Sequence, residues 1–122
     1  MDFDEIFGFS ALGLRFPVSV AGFDGEDFRY SVYFDEDPEG KKDAVETAAA
    51  QFESECEARN MYPGWFGVSC QDGKVMIVHD LGNVDPEDIV PAIRGLLAAI
   101  DAVDGIREVV INEGVGFDLF DF

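Results

Sequence analysis

Hydrophobic and polar positions along the first half of the chain change period, and each period predicts a different element. Apolar residues alternate with polar ones over residues 14–20, which predicts a strand, and Pro17 within it indicates a sheet edge. The same alternation over residues 28–34 predicts a second strand. From residue 38 to about residue 59 the apolar positions recur at helical spacing. We therefore expect two strands and then a helix.

A β-hairpin is predicted around Asp72-Gly73, because a type I′ turn requires positive φ at both central residues and this pair tolerates it. Strands over residues 65–71 and 74–80 would flank the turn, and the two-residue loop fixes their register. Trp65 then lies on one side of the hairpin with Met76 and Val78. The other side is the expected core face, with Phe66, Val68, Cys70, Val75, Ile77 and His79.

A second helix is predicted from Asp85-Pro86-Glu87, which combines an N-cap, a proline in the first turn and an acid at the positive end of the dipole. Gly105 is a natural stop for this segment. Residues 106–111 then predict a last strand. The helix carries an apolar stripe of Ile89, Ile93, Leu96, Leu97, Ile100 and Val103.

Between residues 28 and 112 the predicted order is βαββαβ, which resembles the ferredoxin-like fold. That resemblance implies an α+β domain with a four-stranded antiparallel sheet and both helices on one face. We expect a single domain over residues 1–122, with this core at 28–112. An N-terminal extension at 1–27 would add one strand, and a Phe-rich tail would cover 113–122. The resemblance is architectural and implies no function, because this fold hosts many unrelated ones.

Charge narrows the classes of partner. The 122 residues include 26 acidic and 8 basic side chains, a formal net charge of −18. Nucleic acids and anionic membranes are bound through Lys and Arg, so we expect neither as a direct partner. The charge favours a basic protein, such as a nuclease, a toxin or a nucleic-acid-binding protein. Adaptation of the whole surface to high salt is the alternative, because only three Lys occur.

Targeting features are missing from the sequence. The N-terminus lacks the basic region and apolar run of a signal peptide, and no stretch approaches the ~18 apolar residues of a membrane helix. Cys56 and Cys70 belong to no CxxC motif and are expected to be reduced and interior. We therefore expect a cytoplasmic protein.

Side chains with catalytic chemistry are sparse. His79 is the only histidine, and strand alternation places it beside Phe66 on the core side, with Asp80 on the opposite face. No nucleophile motif or phosphate-binding loop accompanies it. We therefore assign no catalytic residue and no cofactor, and we expect a protein that is not an enzyme. A small hydrolase that uses carboxylates or His79 is an alternative.

The acids between Asp35 and Glu46 raise the question of a calcium site. They approximate an EF-hand loop with Gly40 at the sixth position. Lys42 occupies a position that is normally apolar, and a strand rather than a helix leads into the loop. Asp37-Pro38-Glu39 repeats the pattern that begins the second helix, so a helix start explains the same residues. We assign no metal site, and the sequence leaves calcium binding by this loop open.

Acids on the two helices give the strongest functional signal. Three of them fall on one flank of the first helix, including a like-charged pair one turn apart, and no Lys follows Lys42 there. Two more occupy the last turn of the second helix, where the dipole disfavours anions. Stability alone would favour cations at these positions, so we interpret the acids as a binding surface. The predicted partner-binding residues are Glu46, Glu53, Glu57, Asp101 and Asp104, with Asp35, Glu36 and Asp37 as a second acidic edge, and Trp65.

Both ends of the chain are rich in phenylalanine among acids. Because exposed phenylalanine is costly in water, we expect these side chains to pack over the sheet face that bears Trp65 or to form a homodimer or partner interface. The residues concerned are Phe3, Phe7, Phe9, Phe117, Phe120 and Phe122.

These observations predict a non-enzymatic acidic binding protein that blocks a basic protein surface. Immunity proteins, anti-defence inhibitors and nucleic-acid mimics work in this way, with carboxylates in the place of phosphates. The main alternative is a housekeeping domain of a salt-adapted cell, whose acids are solvated.

Overall fold

The computed structural model describes residues 8–22 and 27–113, which form a mixed α+β fold with five strands and two α-helices. Short 3₁₀ helices cover Phe9–Leu12 and Pro38–Lys41. The strands are β1 (Val18–Val20), β2 (Asp27–Phe34), β3 (Trp65–Gln71), β4 (Lys74–Asp80) and β5 (Ile106–Ile111), and the helices are α1 (Lys42–Ala58) and α2 (Pro86–Ile100).

The described strands form one sheet in the order β1-β5-β2-β4-β3. β2 pairs antiparallel with β4 and β5, and β3 pairs antiparallel with β4. β1 instead pairs with β5 in parallel. The sheet is therefore not wholly antiparallel, and the expected ferredoxin-like order is not confirmed. The parallel pair arises because β1 joins the sheet beside the last strand in sequence rather than beside β2, which follows it.

The predicted hairpin and its register are confirmed. Gln71 pairs with Lys74 and Phe66 with His79, with no shift between them. Asp72 and Gly73 have φ of 53° and 77°, as a type I′ turn requires. The alternation of the hairpin therefore places His79 in the interior, as predicted, where it is fully buried.

The first predicted strand is only partly correct. Residues 14–17 are irregular, and β1 is confined to Val18–Val20. The backbone N–H of Arg15 donates to the carboxylate of Asp101, and the carbonyl of Pro17 accepts from the N–H of Val109. The Arg15 bond holds residues 14–16 against the end of α2, so the backbone joins the sheet only at Pro17, which bonds β5. The predicted edge position is confirmed, because β1 is the last strand on its side.

The region between β2 and α1 is a helix start, as Asp37-Pro38-Glu39 predicted. The Asp37 carboxylate accepts a hydrogen bond from the backbone N–H of Glu39 at 3.0 Å, with Pro38 in the first turn. The chain then passes from a 3₁₀ turn into α1 at Lys42. Asp85 is likewise the N-cap residue of α2, although its side chain makes no capping bond.

One hydrophobic core unites the buried sheet face with the apolar stripes of both helices. Phe52 on α1 packs against the backbone of Gly95 on α2, and its ring fills the space that a Cβ at Gly95 would need. Phe9 is buried in this core. The other phenylalanines of the two tails lie outside the described residues.

Candidate functional site

His79 lies in the interior and is held at both ring nitrogens. Its Nε2 is 2.7 Å from the carbonyl oxygen of Pro63, which can only accept, so Nε2 carries the proton. Nδ1 therefore accepts from the hydroxyl of Tyr30, also at 2.7 Å. The Phe66 ring packs 4.4 Å from the imidazole, centroid to centroid. His79 has no free nitrogen for a substrate.

Burial dominates the electrostatics of this pair. It lowers the pKa of His79 to about 4, despite the hydrogen bond to Pro63 and the charge of Asp80. Burial also raises the pKa of Tyr30 well above its usual value. The neutral imidazole and the protonated phenol are thus the stable forms at neutral pH, which suits a core network and gives no acid or base on the surface.

The cysteines and acids give no metal centre in the described part of the chain. Cys56 is buried, Cys70 is half-buried and both are free thiols. Burial raises the pKa of Cys56. Among residues 8–22 and 27–113, no group of three or more His, Cys, Asp or Glu side chains is arranged to hold an ion.

The flank of α1 that was predicted to bind lies beside β3. Glu46 and Glu53 reach a cavity of about 190 Å³ between this helix and the strand. Lys42 forms an ion pair with Glu46, one turn away, which raises the pKa of Lys42. Glu53 is half-buried and has no ion pair among the described residues. The cavity is lined by Glu46, Ala49, Ala50, Glu53, Phe66 and Val68.

Glu57 is exposed near the end of α1 and does not line that cavity. Taken along its whole length, α1 contains five acids against the single cation Lys42. Three of the chain's eight cations instead lie on β2, β4 and β5, at Arg29, Lys74 and Arg107. The helix is therefore locally acidic beyond the average of the chain.

The acids at the end of α2 have a structural partner that local sequence could not reveal. Arg15 donates to the Asp104 carboxylate at 3.1 Å and lies 3.6 Å from that of Asp101. Its guanidinium also donates to the backbone carbonyl of Asp101. The hydrogen bond to Asp104 contributes most to raising the pKa of Arg15. A cation 86 residues away from Asp101 in sequence thus offsets part of the negative charge at the end of the helix.

The predicted acids therefore do not form one patch. Glu46 and Glu53 lie on the β3 side of α1, whereas Asp104 lines a groove on the opposite flank, between α1 and the segment that follows α2. Asp35, Glu36 and Asp37 are all exposed in the β2–α1 connection. Of these three, Asp37 also caps the 3₁₀ turn.

Trp65 is the aromatic member of the predicted site, and it is 58% exposed at the start of β3. Its indole lies across the backbone of Gly67, where any side chain would collide with it. Tyr62, three residues earlier, is 51% exposed. Two large aromatic side chains, Tyr62 and Trp65, are therefore exposed to solvent near the start of β3.

Sequence reasoning missed a polar cluster on the sheet face opposite the core. The Tyr33 hydroxyl donates to Glu113, and Lys74 lies 3.5 Å from the same carboxylate. Lys74 and Arg107 each lie 5.7 Å from the centroid of the Tyr33 ring. The bond to Glu113 raises the pKa of Tyr33 to about 12, so this phenol is not activated as a base. Strand alternation places Tyr33 and Lys74 on one face of the sheet, but it does not place Glu113, which follows the last strand.

No protein-family model, curated protein or solved structure matches this chain. Within the described ranges, neither α-helix has the length and apolarity needed to cross a membrane.

Proposed function

We propose that this protein is a non-enzymatic acidic binding protein that blocks a basic surface on another protein. Its partner would be a nuclease, a toxin or a nucleic-acid-binding protein, and its carboxylates would stand where phosphates otherwise bind. A cytoplasmic location belongs to the same proposal. Homodimer formation through the Phe-rich tails is a separate possibility that we retain as a proposal.

One observation supports this function above the others: the uncompensated acidity of the α1 flank. In the described residues, Glu46 is the single acid of that flank with an ion pair, and Glu53 and Glu57 are like-charged neighbours one turn apart. Such a pair costs a few tenths of a kcal/mol in an isolated helix. Carboxylates that oppose helix stability and face an open surface are typical of electrostatic recognition.

The ion pairs of Arg15 reduce the number of acids that the proposed binding surface includes. Asp101 and Asp104 already pair with that cation, so their position at the helix end needs no external partner to explain it. We therefore centre the proposed surface on Glu46, Glu53 and Glu57. Trp65 is the proposed aromatic anchor, reached around the β3 edge on the other face of the sheet. Asp35, Glu36 and Asp37 remain the second acidic edge.

Capture from a lysate of the native host, followed by elution with salt, tests the proposal. We expect a basic protein to be retained by the native chain and lost when Glu46, Glu53 and Glu57 are replaced by Gln. The matched control replaces three exposed acids on other surfaces, Glu39, Glu55 and Glu87, and so removes the same charge. The captured protein should lose nucleic-acid binding or cleavage when this chain is added.

Equal loss with both variants would show that bulk charge, rather than the α1 flank, retains the protein. A retained protein that is not basic, or one whose nucleic-acid binding is unchanged, would contradict the blocking function.

A salt-adapted housekeeping domain is the second candidate, favoured by the wide spread of exposed acids. Asp85 and Glu87, at the start of α2, are exposed and lie on a different helix from the proposed surface. Acids distributed in this way are typical of a solvated surface. The salt dependence of folding separates the two candidates.

The ferredoxin-like architecture is also retained as a proposal for the part of the sheet that excludes β1. Its support is that β5, β2, β4 and β3 are neighbours in that order and each adjacent pair is antiparallel. Under this proposal β1 is an addition to the β5 edge.

A further inference from the structure

The outer edge of β3 is open in the part of the chain that the structure describes. β3 is the terminal strand of the sheet and pairs with β4 alone. Gln71 and Lys74 flank a two-residue turn and form a hydrogen-bonded pair. Every second residue before Gln71, back to Trp65, therefore also directs its N–H and C=O groups toward β4. The residues between them direct N–H and C=O groups outward: Phe66, Val68 and Cys70.

This edge lacks the features that usually prevent strand addition. Its seven residues, WFGVSCQ, include no charge and no proline, and its register with β4 has no bulge. The opposite edge differs, because β1 has three residues and directly follows Pro17. An unprotected edge strand of this length is a template for a further strand.

The surroundings of the edge specify the chemistry of such a strand. On the side that faces α1, Glu53 lies half-buried in the cavity beside Phe66 and Val68, without a cation among the described residues. On the other side of the sheet, the indole of Trp65 covers Gly67, and more than half of its surface is exposed. A strand whose side chains alternate would thus direct one set toward a carboxylate and the other toward an indole.

We propose that β3 is a docking edge for an extended basic segment of a partner protein, which adds as a sixth strand to the described sheet. Lys or Arg side chains on one face of that segment reach Glu53 and Glu46. Apolar side chains on its other face cover Trp65. This inference rests on the proposed function and specifies how the basic partner is held.

Charge argues against a second copy of this chain as the occupant. A symmetric β3–β3 pair would bring two α1 flanks together, each with Glu46 and Glu53 beside the shared edge. Each chain also carries a net charge of −18. A second copy would therefore be repelled from this edge, whereas a basic segment would be attracted to it.

The test uses a short peptide of alternating Lys and Val as the probe, added to the full chain at low salt. Trp65 is the only tryptophan, so its fluorescence reports directly on this edge. We expect a fluorescence shift, and slower amide hydrogen exchange at residues 66, 68 and 70. The control peptide has the same sequence with N-methyl groups on alternate residues, which keeps the charge but blocks strand pairing. We expect its affinity to fall by about tenfold or more.

Two substitutions on α1, one at Glu53 and a control at Glu55, test the role of the Glu53 carboxylate without changing β3. Glu53→Gln should weaken binding of the Lys-Val peptide by about threefold to tenfold at low salt. Glu55→Gln removes the same charge from an exposed position on α1, where it lines the α1–α2 groove, and should change affinity by less than about twofold. Unchanged unfolding midpoints of both variants would show that the comparison concerns binding alone.

Four outcomes overturn the docking edge. The first two are that the Lys-Val peptide does not bind, or that its N-methylated form binds equally well. The third is that Glu53→Gln and Glu55→Gln have equal effects. The fourth is that the chain without peptide forms a concentration-dependent dimer in which the amides at 66, 68 and 70 are protected. Failure of the proposed function is distinct, because it is measured by whether a basic protein is captured and blocked. If capture depends on the α1 acids but the N-methylated peptide binds as well as the unmodified one, the proposed function is supported and the strand-addition proposal is wrong.

Discussion

At the scale of single residues, the surroundings of His79 decide its chemical role. His79 is the only imidazole, and it donates to Pro63 and accepts from Tyr30 within the core. The hairpin register is set by the adjacent Asp72-Gly73 turn, so the sequence could predict that the His79 side chain points into the core. The partner Tyr30 comes from 49 positions earlier, and nothing in the local pattern identifies it.

The buried imidazole predicts a pH dependence of folding. The pKa of His79 is lowered to about 4 in the folded protein and is ~6.5 when unfolded. Between these values the unfolded state binds more protons, so the free energy of unfolding rises with pH. The contribution is complete above pH ~6.5 and is lost as pH falls toward 4, a change on the order of 3 kcal/mol.

Urea unfolding at a series of pH values measures this contribution. Between pH ~5 and ~6.5 few carboxylates titrate, so the slope there should come from His79 and disappear in His79→Gln. A native protein whose unfolding free energy is flat across that interval would contradict the buried neutral imidazole.

At the scale of elements, predictions succeeded where neighbouring residues decide the structure. Asp72-Gly73 fixes its own turn, and Asp37 caps the turn that begins beside it. The alternation over residues 14–20 predicted too long a strand, because the backbone N–H of Arg15 donates to Asp101 at the end of α2 and the chain joins the sheet only near Pro17, whose carbonyl accepts from Val109. Long-range contacts of this kind leave no periodic signal.

The contact between Arg15 and the end of α2 carries a second prediction. From local sequence, neutralising Asp101 and Asp104 would relieve an unfavourable interaction with the helix dipole. Because Arg15 binds both carboxylates, we now expect Asp101→Asn with Asp104→Asn to lower the melting temperature. Arg15→Met should lower it as well.

A thermodynamic cycle checks that the two effects share one interaction. Combining Arg15→Met with both Asn substitutions should lower the melting temperature by less than the sum of the separate changes. Strict additivity, or a rise in melting temperature on removing the acids alone, would show that the contact does not stabilise the fold.

At the scale of the whole molecule, charge and core act in opposite directions. A net charge of −18 opposes compaction, whereas the core joins both helices to one sheet face without a disulfide. The fold class was predictable because the core follows from periodicity. The proposed surface could be predicted only in part, because the sequence identifies the acids but not that Arg15 pairs with Asp101 and Asp104.

Salt dependence separates the two explanations of this charge. We expect a cooperative melting transition in dilute buffer, with modest stabilisation up to ~0.2 M salt as repulsion is screened. A salt-adapted domain would instead require molar salt to fold. Thermal melting at low ionic strength decides between them. If the protein is unfolded there, the acids no longer indicate a basic partner.

The central claim is that the carboxylates of the α1 flank steer a basic partner onto this surface. The most direct test is the association rate constant of the captured partner, measured across salt concentrations. Replacing Glu46, Glu53 and Glu57 by Gln should slow association by about tenfold at low salt and flatten its salt dependence. The control at Glu39, Glu55 and Glu87 should change the rate by less than about twofold. Equal slowing in both variants, or no slowing in either, would contradict the claim.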